Sequence, residues 1–354
     1  MGYRIDAFRN LITALCFIVL IATPMVLHLA KGGPTDSAVE NRRLSPAPML
    51  SDIASNWTGA PELANAWMRD HFGLRRAYLK LGFHLDTFLR SSASFKAVRG
   101  DDGWLFNTLN GALALHQGLL PFAAGEADTW LDGLTQVQNA AEASGAEFVA
   151  MITPNKHSIY ADYLTAYPRQ AAGETRLGEV QRLAEERGVP LIDLTQVLSD
   201  ARSSEQVYFK TDSHWTDMGA YLGFTRLRSA LAARGLAIPD IPRTALVPTK
   251  DSTFQGDLYR LLGEENGAPE TVLTLTVDDE KIGPKAGSIL FIGDSFAGRF
   301  LKYLEATFDT VTFIDNRAGE PDLAAIEPGK YDVVVYQVVE RYLSRPFTPV
   351  AAHN

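Results

Sequence analysis

The chain has 354 residues, 46% of them hydrophobic, and a formal net charge of −9, enough apolar content for one large domain or two modest ones. Lys and Arg form no basic stripe, which argues against nucleic-acid binding, and a polyanionic ligand would need a local basic groove. Cys16 is the single cysteine and lies in an apolar N-terminal run, so the remainder has no disulfide, no thiol nucleophile and no cysteine-based zinc site.

Leu11 to Ala30 carries no charged side chain, with Arg4 and Arg9 before it and Lys31 after. At helical rise this length crosses a bilayer core, and Pro24 and His28 weaken it without forbidding it. The preceding arginines favour a cytoplasmic N-terminus. No clear Ala-x-Ala site precedes Lys31, so an uncleaved anchor over 1–31 is preferred to a cleaved signal peptide. Residues 32–56, with Gly32-Gly33-Pro34, Pro46 and Pro48, read as a linker. A main domain over 57–348 follows. It opens with a helical stretch from Trp57 to Arg90, in which Trp67, Phe72, Leu74, Tyr78, Leu81, Leu85 and Phe88 share a face.

Asp102-Gly103-Trp104-Leu105-Phe106 reads as a turn entering a strand. Helices are expected over 125–144, 174–187 and 216–234, the last with Thr216 as N-cap. Strands are expected at Glu147–Thr153, Val189–Leu194, Ser288–Ile292, Val311–Ile314 and Tyr331–Val338. Buried strands alternating with helices predict a parallel α/β sheet covered on both faces, with any site beyond the carboxyl ends of the strands. Residues 236–287 read as irregular and rich in Pro and Gly, a lobe or cover over such a site.

Two segments carry chemistry. The first is the apolar run ending in Gly293-Asp294-Ser295, after which Phe296, Phe300, Leu304 and Phe308 recur every fourth residue. That is a strand, a tight turn and a helix, with Ser295 beside free N–H groups and the positive end of the helix dipole. Taken alone, Ser295 reads better as an ordinary N-cap. The second segment is Thr211-Asp212-Ser213-His214-Trp215-Thr216. In an extended loop Asp212 and His214 share a face, so one short segment supplies a base and the carboxylate that orients it. Among the seven histidines, His157 is the only serious rival, and it has no carboxylate two residues away. Ser213 is read as loop filler.

Together the two segments resemble the SGNH-hydrolase-like domain of alginate and exopolysaccharide O-acetyltransferases, the AlgJ/AlgX type. Gly293-Asp294-Ser295-Phe296 matches the nucleophile block and Thr211–Thr216 the Asp-x-His block. Gly103-Trp104-Leu105-Phe106, Pro154-Asn155-Lys156, Ile159-Tyr160, Tyr163-Leu164 and Glu340-Arg341-Tyr342-Leu343 add support. The resemblance spans roughly Trp57 to Leu343. It implies an SGNH-like (flavodoxin-like) sheet with the Asp/His pair ahead of the serine, the reverse of ordinary secreted SGNH esterases. The chain stops soon after Leu343, which leaves no room for the carbohydrate-binding domain of the AlgX subtype.

The activity so implied is acetyl transfer through Ser295, with His214 as base and Asp212 as its orienter, onto a polysaccharide hydroxyl. A membrane-bound O-acyltransferase would supply the acetyl donor at the bacterial inner membrane, with the catalytic domain in the periplasm. Arg299, Arg341, Tyr342, Lys156 and Trp215 are candidate contacts to the polymer, since Arg forks onto carboxylates and Trp stacks on sugar rings. An ion pair for the cations and a core role for Trp215 compete with that reading. No cofactor and no metal enter it. Two alternatives stay open: an esterase or deacetylase with the same three residues, and a non-catalytic export scaffold.

Overall fold

The computed structural model describes residues 96–349 apart from 172, 265–266 and 318–320, and before them 36–37, 42–43, 45–49, 51, 57 and 59–70. The chain divides into two compact units, 1–95 with 260–265, and 96–259 with 266–354. The first contains a helix over Ala60–Asp70 and a two-residue antiparallel pair, Asp36–Ser37 with Arg42–Arg43. The expected anchor at Leu11–Ala30 and the helical stretch beyond 70 lie outside the described residues. Among the described residues no helix is long and apolar enough to cross a membrane.

The second unit opens with a short antiparallel pair, β1 (Ala97–Arg99) and β2 (Leu105–Asn107). Its centre is a five-stranded sheet of β3 (Glu147–Thr153), β4 (Leu191–Asp193), β7 (Ser288–Gly293), β8 (Thr310–Asp315) and β9 (Val333–Val339). The order across it is β8-β7-β9-β3-β4, and every pairing is parallel. The last strand in sequence is therefore the central one, and all seven of its residues are buried. A strand covered on both faces needs no polar alternation, which is why Val333–Val339 reads as a continuous apolar run.

On one face of the sheet, Phe148, Ala150, Ile152, Leu290, Ile292, Val334, Tyr336 and Val338 meet helices α1 (Glu126–Ser144) and α2 (Arg176–Arg187). On the other, α3 (Asp217–Ala232) and α4 (Ala297–Thr307) bring an aromatic layer. Phe291 stacks on Phe300 at 5.2 Å, and Phe224 packs on both Phe300 and Tyr303. The fourfold spacing after Ser295 is this layer: Phe296, Phe300, Leu304 and Phe308 are all buried, each contributing about 1.5–3 kcal/mol. Thr216 caps α3 by accepting from the Gly219 N–H at 3.2 Å, which halts the chain's entry into the helix one residue past Trp215.

The segment 236–287 departs from expectation. It holds an antiparallel hairpin, β5 (Leu246–Phe254) and β6 (Glu270–Val277), paired from Leu246↔Val277 to Phe254↔Glu270. In β5 the strand-forming Val, Thr, Leu and Phe residues are spread among Pro, Lys and Asp, whereas β6, Glu-Thr-Val-Leu-Thr-Leu-Thr-Val, carries a strand composition of its own that gives β5 its partner.

Candidate active site

Ser295 follows β7, and its turn is built by Gly293 and Asp294. A Cβ on Gly293 would stand 2.7 Å from the Phe291 ring and 2.9 Å from Gln337 Oε1, so only glycine lets the turn lie this close to β9. Asp294 is buried and serves the backbone: its carboxylate accepts from the Phe296 N–H at 2.9 Å and the Val339 N–H at 2.7 Å. Its own N–H donates to Gln337 Oε1 at 3.2 Å. Burial pushes the Asp294 carboxyl up, against the pull of Arg341 and these N–H groups. The Ser295 N–H has no acceptor among the described residues.

Asp212 and His214 lie on a loop closed at its base by the bridge between Tyr208 and Trp215, with Thr216 N–H donating to the Val207 carbonyl at 2.9 Å. One oxygen of Asp212, Oδ1, accepts both from the His214 backbone N–H at 2.9 Å and from His214 Nδ1 at 2.7 Å. The spacing of two places both donors within reach of one carboxylate, as in an Asx turn. With Nδ1 protonated, Nε2 is an acceptor, and the Ser295 hydroxyl donates to it at 2.8 Å. Burial works to raise the Asp212 carboxyl, but the hydrogen bond and charge of His214, with the Asp257 N–H, outweigh it and hold Asp212 below the usual carboxylate range.

Four further residues fasten the loop. Asp257 accepts from the Ser213 N–H at 2.8 Å and hydroxyl at 2.7 Å, and its N–H donates to Asp212 Oδ2 at 3.1 Å. Gly256 permits this approach, because a Cβ there would lie 2.0 Å from the Thr211 carbonyl. Burial and the neighbouring Asp212 push the Asp257 carboxyl up. Glu270 Oε2 accepts from the Lys210 N–H at 2.9 Å. From below, Lys156 donates to the carbonyls of Phe209, Lys210 and Asp212 at 3.0, 3.1 and 2.8 Å. Burial pushes its ammonium down to about 7, opposed by Asp212, Asp257 and Glu270.

Sequence offers no sign of these roles for Gly256, Asp257 and Glu270: a Gly-Asp pair in a Pro- and Gly-rich stretch signals only a turn, and Glu270 opens a strand. Asp212, His214 and Asp257 place ligand atoms within 4.8 Å of one another; the hydrogen bonds to Ser213, His214 and Ser295 already occupy them.

The candidate contacts to a polymer fall in different places. Trp215 is fully buried: its indole N–H donates to the Phe296 carbonyl at 3.0 Å and its ring stacks on Phe300. Lys156 is 3% exposed with its donors engaged. Neither has a surface to offer a sugar, so a direct contact from Trp215 or Lys156 is corrected to a structural one. Arg299 pairs with the buried Asp217 at 3.0 Å and lies 4.4 Å from the Phe209 ring centre. Lys302 and the Leu275 N–H share that carboxylate. Arg341 is buried over Phe296, its Nη1 at 3.5 Å from Asn155 Oδ1. Tyr342, half-buried, sits between the guanidinium groups of Arg341 and Arg345. His157 is buried away from the relay against Phe106 and His116, and neither ring nitrogen has a hydrogen-bond partner among the described residues.

Residues 97–327 match the family described as SGNH hydrolase-like domain, acetyltransferase AlgX. A probable alginate O-acetylase AlgJ of Pseudomonas putida is 24% identical over 305 residues, spanning 77% of this chain and 76% of that protein. Its counterpart in Pseudomonas syringae pv. tomato is 26% identical over 210 residues, 59% of this chain and 51% of that protein. Among solved structures, the O-acetyltransferase domain of Pseudomonas putida AlgJ superposes with a TM-score of 0.50 at 21% identity, covering 72% of this chain and 94% of its own. Bacillus cereus PatB1 with a sulfonyl adduct gives 0.53 at 14% identity, covering 70% and 96%. These two likenesses speak for the fold. The family match spans well over half of the chain and contains both chemical segments, and the protein belongs to the SGNH hydrolase-like domains of the AlgX acetyltransferase family.

Proposed function

We propose that this chain is an O-acetyltransferase that carries an acetyl group on Ser295 and delivers it to hydroxyls of an exopolysaccharide such as alginate. The observation that carries the reading is the relay itself: hydroxyl to imidazole at 2.8 Å and imidazole to carboxylate at 2.7 Å, supplied by three residues from two distant segments. Membership in an acetyltransferase family and relatives named as probable alginate O-acetylases support the acyl group and the acceptor class.

In the first half-reaction Ser295 Oγ attacks the acetyl carbonyl and its proton passes to His214 Nε2. The ring then returns that proton to the departing group of the donor, leaving acetyl-Ser295. A sugar hydroxyl next gives its proton to His214 as its oxygen attacks the acetyl carbon, and Ser295 Oγ leaves and is reprotonated by the ring. Asp212 holds Nδ1 protonated and stabilises the imidazolium in both halves. The unpartnered Ser295 N–H is our choice for one donor to the oxyanion, a contact that typically contributes about 3 kcal/mol. Tyr342, flanked by Arg341 and Arg345, is our choice for the acceptor side, with Arg299 the more remote candidate.

The same reading places the catalytic unit in the periplasm, tethered to the bacterial inner membrane through Leu11–Ala30. There a membrane-bound O-acyltransferase would hand over the acetyl group.

Incubating the purified protein with an acetyl ester and an oligosaccharide, followed by mass spectrometry, tests the reaction. Acetylated oligosaccharide is the expected product, and an acetyl adduct on the Ser295 peptide after rapid quenching is the expected intermediate. Free acetate alone would instead assign a hydrolase.

A further inference from the structure

The strand end that follows β3 sends one cation under the catalytic loop and nowhere else. Lys156 is sealed from solvent by Trp104 and Phe106, whose ring centres lie 5.7 and 5.3 Å from its nitrogen. All three of its donors go to carbonyls of one four-residue stretch, Phe209, Lys210 and Asp212. Elsewhere that stretch is held by single backbone bonds, from the Leu105 N–H to the Lys210 carbonyl at 2.8 Å and from the Leu258 N–H to the Thr211 carbonyl at 3.1 Å, and burying an ammonium is costly unless it is fully hydrogen-bonded and compensated. The acids that face it are Asp212, Asp257 and Glu270, with neutral His157 on the next residue of its own short helix.

We propose that Lys156 is the positioning residue of the relay: its ammonium fixes the backbone that carries Asp212 and balances the charge of the three acids behind His214. This rests on Ser295 being the nucleophile. Lys156 touches neither Ser295 nor the acyl group; it acts through the loop and through charge. Removing it therefore has two separable consequences. The loop loses its clamp, so the nucleophile slows. The site also becomes more negative and holds a proton more tightly, which moves the acid side of its pH profile to higher pH.

The test is the rate at which phenylmethanesulfonyl fluoride labels Ser295 in the full chain, followed by peptide mass spectrometry between pH 5 and 9. In Lys156→Met the rate at its optimum is expected to fall about tenfold or more, and the acid limb to rise by about half a pH unit or more. Lys156→Gln keeps two N–H donors without charge, so it recovers part of the rate and keeps the moved limb. Thermal melts establish that each variant is folded, and Lys156→Gln carries the test alone if Lys156→Met is not. A folded variant labelled at the wild-type rate with an unmoved limb overturns the proposal. Wild-type protein that is not labelled at Ser295, or is labelled equally in His214→Ala, overturns the underlying reading of the site instead.

Discussion

Ser295 rides on the end of a buried strand, between a glycine that must be small and a helix whose apolar face is locked into the sheet. Asp212 and His214 lie on a loop with no regular structure, held by Lys156 from below, Asp257 and Gly256 from the side, Glu270 at Lys210, and the Tyr208–Trp215 bridge at its base. Ser295 is placed mainly by packing, with one buried carboxylate, Asp294, tying its turn to the next strand, whereas His214 is placed by polar bonds from elements far away in sequence. Packing is hard to perturb by one polar substitution; a polar scaffold is not.

Replacing the reacting groups gives the largest effects. Ser295→Ala or His214→Ala is expected to lower acetyl transfer about 10⁴-fold or more, and Asp212→Asn to lower it about 10³- to 10⁴-fold, with the wrong imidazole tautomer as the cause. Single-turnover acetyl transfer measures all three, and an Asp212→Asn rate within about tenfold of wild type would remove the carboxylate from the relay.

Asp294→Asn probes the packed side. The amide leaves either the Phe296 or the Val339 N–H facing a donor, so stability should drop by about 1–3 kcal/mol in chemical denaturation. An unchanged midpoint would show that the turn does not need its carboxylate.

Lys156 probes the polar side through pH. Its amine titrates near 7 in the folded protein against 10.5 for an ordinary lysine. Between those values the unfolded chain binds more protons, so this group makes folding stability rise with pH across that window. The stability difference between wild type and Lys156→Met is expected to move in favour of wild type from pH 7 to pH 10. Parallel curves would mean that the ammonium is not titrating in the folded state.

Much of the fold was legible locally. Glu147–Thr153 is a strand as read, and the helices near 126–144, 176–187 and 217–232 fall within a few residues of expectation. Each carries its period and its stop signals in its own residues. The first strand of the hairpin, Leu246–Phe254, was not legible, because it is largely exposed, holds Pro, Lys and Asp, and becomes a strand by pairing; the second, Glu270–Val277, does carry strand formers and buries Val272 and Leu275, but a Pro- and Gly-rich surround obscured it. For Trp215 and Lys156 sequence leaves a sugar contact and a structural role both open, since a tryptophan or a lysine beside reactive residues looks available in one dimension; packing decides for the structural role, with both side chains pointing inward.

The strand–turn–helix that presents Ser295 and the pairing of Asp212 with His214 two residues on follow from local residues, because both depend on neighbours along the chain. Tertiary structure alone decided that the two meet, that Asp257 and Lys156 stand behind them, and which strand is central. Those outcomes depend on residues 45 to 185 positions apart being brought within hydrogen-bond distance, and no local pattern encodes the folding of a parallel sheet that brings them there.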